Sequence, residues 1–137
     1  MDKDFTSYVI EDRSFVAFIK REIHSKIAQE NFSSLRAGEI DIIVSELTSN
    51  LIKHAGSGEL LYRISNREDI TEFEIVCIDN GKGIENVPLM MKDNISTTNT
   101  LGHGLGAIQR LSDLFQIFSL RQWGTIAYSK VLSKKQF

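Results

Sequence analysis

The stretch Phe73-Glu74-Ile75-Val76-Cys77-Ile78-Asp79-Asn80-Gly81-Lys82-Gly83 runs from an apolar segment directly into an acid and two glycines. Its first six residues begin in alternation and end apolar, the pattern of a strand covered on one face. The run from Asp79 to Gly83 has two readings. Asn80-Gly81 after a strand is a hairpin signal. Alternatively, an aspartate at the end of a buried strand accepts a hydrogen bond from an exocyclic amine such as that of adenine, while Gly81 and Gly83 let the backbone approach the ring. These residues alone leave both readings open.

Downstream, Gly102-His103-Gly104-Leu105-Gly106 opens a helix expected over residues 105–115, with Leu105, Ile108, Leu111 and Phe115 on its apolar face. Glycines at a helix start leave free amides and a positive dipole end facing any anion placed there. Gly102-x-Gly104-x-x-Ala107 also matches the dinucleotide fingerprint, but polar loop precedes it instead of a strand. The next acid, Asp113, lies much nearer than the ribose-binding acid expected about 20 residues on. No G-x-x-x-x-G-K-[ST] is present, so a P-loop is excluded. Between the two glycine groups, Pro88 to Thr100 is polar and aperiodic, which reads as a long functional loop. Two closing strands are expected near 116–121 and 125–132.

Upstream, Ile40, Ile43, Val44, Leu47, Leu51 and Ala55 recur at period 3.6, predicting a helix over 34–54 that Gly56-Ser57-Gly58 ends. Glu46, Asn50 and Lys53 project within about 60° of one another beside that stripe. A carboxylate and a carboxamide four residues apart suit a reacting hydroxyl and a hard cation such as Mg²⁺. A solvated helix surface carries the same pair, and at this point both readings stand. An earlier helix over 13–29, capped by Asp12 or Ser14, carries Phe15, Phe18, Ile19, Ile23 and Ile27 on its apolar face. Strands are expected at 60–66 and 71–79.

Composition narrows the function classes. The 137 residues are 42% hydrophobic and 25% charged, which suits one domain spanning 1–137. The single cysteine, Cys77, excludes a disulfide framework and cysteine-rich zinc sites and reads as a core side chain. A formal charge of -2 from interspersed acids and bases offers no stripe for nucleic-acid phosphates. No apolar run approaches the roughly 18 residues that cross a bilayer, and Met1-Asp2-Lys3-Asp4 has no signal-peptide profile. A cytoplasmic protein with no direct nucleic-acid or membrane partner is expected.

The elements stand in a fixed order: Glu46 and Asn50 on a helix, Asp79-x-Gly81-x-Gly83 after a strand, a polar loop, Gly102-x-Gly104-x-Gly106 before a helix, and Gly124-Thr125 entering the last strand. In this order the chain resembles the GHKL nucleotide-binding superfamily, which includes gyrase, heat-shock chaperone and histidine-kinase ATP domains. Val44-Ser45-Glu46-Leu47-Thr48-Ser49-Asn50 and His54-Ala55-Gly56-Ser57-Gly58 are similar to the anti-sigma-factor type of protein serine/threonine kinase. Ile95-Ser96-Thr97-Thr98 and the run Leu105 to Asp113 resemble most the stressosome switch kinases of bacterial partner-switching modules.

The resemblance implies an α/β (α+β) two-layer sandwich, a mixed, mostly antiparallel sheet with helices on one face and ATP between helices and loop. It implies Glu46 as general base toward an acceptor serine and Asn50 as ligand of Mg²⁺ between the phosphates. Asp79, helped by Thr125, would take the adenine amine in a pocket shaped by Gly81 and Gly83. Gly102, His103, Gly104, Leu105 and Gly106 would meet the phosphates, and residues 85–101 would form a lid. The implied substrate is a serine on a STAS-domain antagonist or scaffold; a PP2C-type phosphatase, a sigma factor or a second copy of the chain are further implied partners. Two other functions share these residues: a non-catalytic nucleotide-binding regulator that sequesters a sigma factor or activates a phosphatase, and a detached histidine-kinase ATP domain. The last lacks a helical hairpin with a phosphoacceptor histidine, since His24 lies on one isolated helix.

Overall fold

A computed structural model describes residues 4–81, 104–120 and 122–136. Five strands and three helices are arranged along the chain as β1 (Thr6–Ile10), α1 (Arg13–Gln29), α2 (Ser34–His54), β2 (Gly58–Asn66), β3 (Ile70–Asp79), α3 (Leu105–Leu111), β4 (Leu114–Leu120) and β5 (Gly124–Lys134).

Side-chain caps set the two long helices where the periodicity places them. The Asp12 carboxylate accepts the Ser14 N–H at 2.9 Å at the start of α1, and the Ser33 hydroxyl accepts the Arg36 N–H at 3.1 Å at the start of α2. At the other end of α2, the Gly56 N–H donates to the carbonyls of Leu51 and Ile52, satisfying two terminal acceptors.

The third helix is shorter than the expected 105–115. The Ser112 hydroxyl bonds back to the Ile108 carbonyl at 2.6 Å and shares a second bond with Ser129. The Asp113 N–H donates to Lys130 O at 2.9 Å, while its carboxylate accepts Leu132 N–H at 2.7 Å. These contacts turn the chain into β4 within three residues, so Phe115 is a strand residue.

The sheet order is β1-β2-β3-β5-β4, and every pairing among the described residues is antiparallel. β1 has no counterpart in the sequence-based layout. The hairpin reading of Asn80-Gly81 fails: β3 is flanked by β2 and by the final strand β5, and the Gly81 N–H donates at 3.0 Å to the Asp79 side chain, an Asx turn.

Helices cover one face of the sheet. Phe73 and Ile75 of β3 are fully buried there against Ile19, Ile23, Ile40 and Ile43 of α1 and α2, and each such side chain contributes roughly 1.5–3 kcal/mol on leaving water. Phe15 and Phe18 depart from their expected burial. They stay about 40% exposed at the rim, stacked on each other and edge-on to Tyr8 of the unanticipated strand. The opposite face carries charges at its centre, where Glu74 accepts two bonds from Arg63 and one of 2.6 Å from the Tyr128 hydroxyl. No helix among the described residues is long and apolar enough to cross a membrane.

Candidate functional site

Asp79 closes β3 where three segments of chain converge: its register partners are Gly58 on β2 and Thr125 on β5. Its Oδ1 accepts the Gly81 N–H at 3.0 Å and the Thr125 N–H at 3.2 Å. Among the described residues nothing bonds Oδ2. Two main-chain donors on one oxygen fix the carboxylate plane and leave the second oxygen as an acceptor.

Two glycines make this convergence possible. Gly124 has φ of +124°, and a Cβ there would collide with the Asp79 carbonyl. A Cβ on Gly81 would lie 2.6 Å from the His54 carbonyl and 2.9 Å from Ala55 Cβ, so glycine alone lets the C-terminal end of α2 close on the loop after β3. Sequence reasoning misses the role of Gly124 in this approach. It depends on which strand lies beside β3, and no local pattern carries that information.

α2 brings the other candidates to the same side of the molecule. Glu46 is buried, Asn50 is half-buried, and Lys53 faces solvent, so the three do not share one environment. Among the described residues the buried Asn50 Nδ2 has no hydrogen-bond partner. An unmade bond at such a donor costs about 1–3 kcal/mol, which leaves the nitrogen available to an acceptor beyond the described residues.

Thr125 is 9% exposed, and its hydroxyl shares a 2.9 Å hydrogen bond with Ser119 of β4. Ser119 is also missed from sequence; only the antiparallel register of β4 and β5 puts it opposite Thr125. Gly104 is the N-cap residue of α3 with φ of +71° and no side-chain cap, and Leu105 and Gly106 are buried behind it. Gly83, Gly102, His103 and the 85–101 segment lie outside the described residues.

Cys77, His24 and His54 are the other chemistry-bearing residues singled out by type. Burial, with the Asp79 charge adding to it, pushes the Cys77 thiol up to about 12, so it is an inert core side chain as expected and offers no thiolate. His24 pairs with Asp41 at 3.1 Å between α1 and α2. His54 is the last helical residue, with its carbonyl against Gly81. Among the described residues no three histidines, cysteines or carboxylates stand together to hold a metal ion. A cation at Asn50 would therefore need most of its ligands from water and from a bound phosphate chain, which is how Mg²⁺ is commonly held.

A family profile described as "Histidine kinase-like ATPase domain" matches residues 12–127. The chain belongs to this ATPase family. It is similar to the serine/threonine-protein kinase RsbT of Bacillus subtilis (strain 168), 31% identical over 107 residues that make up 77% of this chain and 80% of that protein. Likeness over most of both chains places this histidine kinase-like ATPase with the GHKL serine/threonine kinases, the type that the order of motifs implies. The antiparallel sheet with helices on one face is the architecture expected of it.

Proposed function

We propose that the protein, as one unit spanning residues 1–137, transfers the γ-phosphoryl group of ATP to a serine on a STAS-domain antagonist or scaffold, acting as a switch in a cytoplasmic partner-switching pathway. The observation that carries this reading is the pairing, one helical turn apart on α2, of the buried Glu46 carboxylate with an Asn50 amide whose nitrogen has no partner among the described residues. The family membership and the likeness to RsbT support the kinase class.

The residues fit the nucleotide. Oδ2 of Asp79, unbonded among the described residues, would accept the adenine amine, with Thr125 beside it, and Gly81 keeps side-chain bulk out of the approach. Asn50 would face the phosphates and the Mg²⁺ they carry, its amide oxygen toward the cation. Gly102, His103, Gly104, Leu105 and Gly106 would line the phosphate chain from the start of α3, with Gly83 near the base and 85–101 as the lid. Bound Mg-ATP supplies an electrophilic phosphorus and charge neutralisation, which leaves positioning and proton transfer to the protein. Glu46 would accept the proton that the serine hydroxyl loses as its oxygen bonds to the γ-phosphorus and ADP departs.

Replacement Glu46→Gln keeps the shape and removes the base. Transfer of labelled phosphate to a STAS protein is expected to fall by about 10²–10⁴-fold, with ATP affinity by calorimetry nearly unchanged. Undiminished serine labelling by this variant would remove Glu46 from the mechanism. Nucleotide-dependent complex formation by the wild type without labelling would replace the kinase with a non-catalytic regulator of a sigma factor or a PP2C-type phosphatase.

A further inference from the structure

Asp79, Thr125 and Ser119 are register partners in one row across β3, β5 and β4, so their side chains leave the same face of the sheet. The next row on that face, Cys77, Ala127 and Ile117, lies in or against the core beneath the helices. The row of Asp79 therefore borders the core at the end of the sheet where β3 stops. On β4 the two preceding residues of this face, Phe115 and Ile117, pack on the core. Packing alone would continue that apolar series, yet the next position is a serine, and its hydroxyl lies 2.9 Å from that of Thr125.

A threonine hydroxyl carries one proton and rotates, so by itself it donates or accepts as its neighbour requires. Here the Thr125 hydroxyl bonds to Ser119 and, among the described residues, to nothing else. Ser119 Oγ stands 2.9 Å from Thr125 Oγ1 and 3.5 Å from the Gly124 carbonyl. Bonds between a hydroxyl and an oxygen run to about 3.0 Å, so the Ser119 proton belongs with Thr125 and the carbonyl is too distant to compete for it. Once Thr125 Oγ1 accepts from Ser119, its own proton is left to point elsewhere.

We propose that Ser119 is a positioning residue that holds the Thr125 hydroxyl as a hydrogen-bond donor toward the ring nitrogen beside the amine of a bound adenine. This role rests on Asp79 taking that amine. N1 and N7, the ring nitrogens on either side of the amine, are both acceptors, so a base seated on Asp79 brings an acceptor toward Thr125 whichever way round it lies. A hydroxyl already turned to donate gives up less freedom on binding. Hydrogen bonds running in one direction, from Ser119 to Thr125 to the ring, also polarise and strengthen one another.

Calorimetry of the full chain with the Mg²⁺ complexes of ATP, 1-deaza-ATP and 7-deaza-ATP tests the role. In the wild type, one of the two analogues is expected to bind about three- to tenfold more weakly than ATP, the loss of one neutral hydrogen bond. Ser119→Ala is expected to weaken ATP about threefold and to leave that analogue's affinity where it was, because the analogue has no ring nitrogen for the hydroxyl to meet. In a Thr125→Val background, Ser119→Ala is expected to change ATP affinity no further. A wild type that binds both analogues as tightly as ATP, equal weakening of ATP and analogue by Ser119→Ala, or an effect of Ser119→Ala that persists beside Thr125→Val each overturns the role. Asp79→Asn turns an amide nitrogen toward the amine and is expected to weaken ATP at least about tenfold; unchanged affinity there overturns the adenine reading itself, however the Ser119 variants behave. Circular dichroism confirming native helix content in each variant keeps misfolding from passing for lost affinity.

Discussion

An amide nitrogen buried without an acceptor is a standing cost of about 1–3 kcal/mol to the fold, so the Asn50 side chain is expected to be destabilising in the free protein. Removing it should separate stability from binding. Asn50→Ala is expected to raise the melting temperature slightly or leave it unchanged, while Mg-ATP binds at least about tenfold more weakly in calorimetry. A variant that melts lower and binds normally would mark Asn50 as a packing residue with no contact to nucleotide. The common side of Asn50 and Glu46 is legible in the sequence because a one-turn spacing on a strongly periodic helix fixes it. Their different burial is not, since it depends on how deeply α2 sinks between the sheet and its neighbours.

Among the elements, α3 has the least intrinsic support. Seven residues are too few for a helix to persist in water, and its order is lent by Arg36 of α2. One guanidinium donates to Leu132 O at 3.0 Å, Leu111 O at 3.3 Å, the Asp113 carboxylate at 2.8 Å and Glu39 at 3.1 Å. It thus binds α2, the end of α3 and β5 together. Arg36→Ala is expected to cost about 1–3 kcal/mol in urea unfolding, and Arg36→Lys to recover little, because one ammonium cannot reach acceptors arranged around a planar fork. Full recovery by lysine would show that charge alone matters. The same contacts explain what is visible in the sequence and what is not. Periodicity places α1 and α2 correctly because their caps, Asp12 and the Gly56 end, lie within a few residues of the helices they bound. The early end of α3 is set by Ser129, Lys130 and Leu132, and β1 by pairing with β2; both are long-range facts.

At the scale of the molecule, the sheet has two unlike faces, and the charged one makes stability depend on pH. Burial raises the Glu74 carboxyl, but hydrogen bonds from Tyr128 and Arg63, with the charges of Arg63 and Lys130, outweigh it and hold the group below its ordinary 4.5. A carboxyl depressed in the folded state stabilises the protein above its unfolded value, and that stabilisation drains away as acidification passes through the folded one. Between about pH 5 and pH 3 the wild type is therefore expected to lose more thermal stability than Glu74→Gln; parallel loss in both would assign the acid response to other carboxyls. The site shows the same division between local and distant information. Asp79, Gly124 and Thr125 stand in the motif order, whereas the close approach that demands glycine at 124 and the place of Ser119 emerge only from strand register.

That register also bears on which nucleotide the protein accepts. With Oδ1 held by the Gly81 and Thr125 amides and the Asp79 backbone set close against Gly124, turning the carboxylate breaks two hydrogen bonds. Guanine would bring a carbonyl oxygen to the place where adenine brings its amine, and two acceptors facing one another repel. A freely rotating side chain would swing aside to relieve that repulsion; this one would have to give up its two main-chain bonds to do so. If Asp79 takes the adenine amine as proposed, discrimination between the purines would be set from behind, by main-chain contacts that never touch the base.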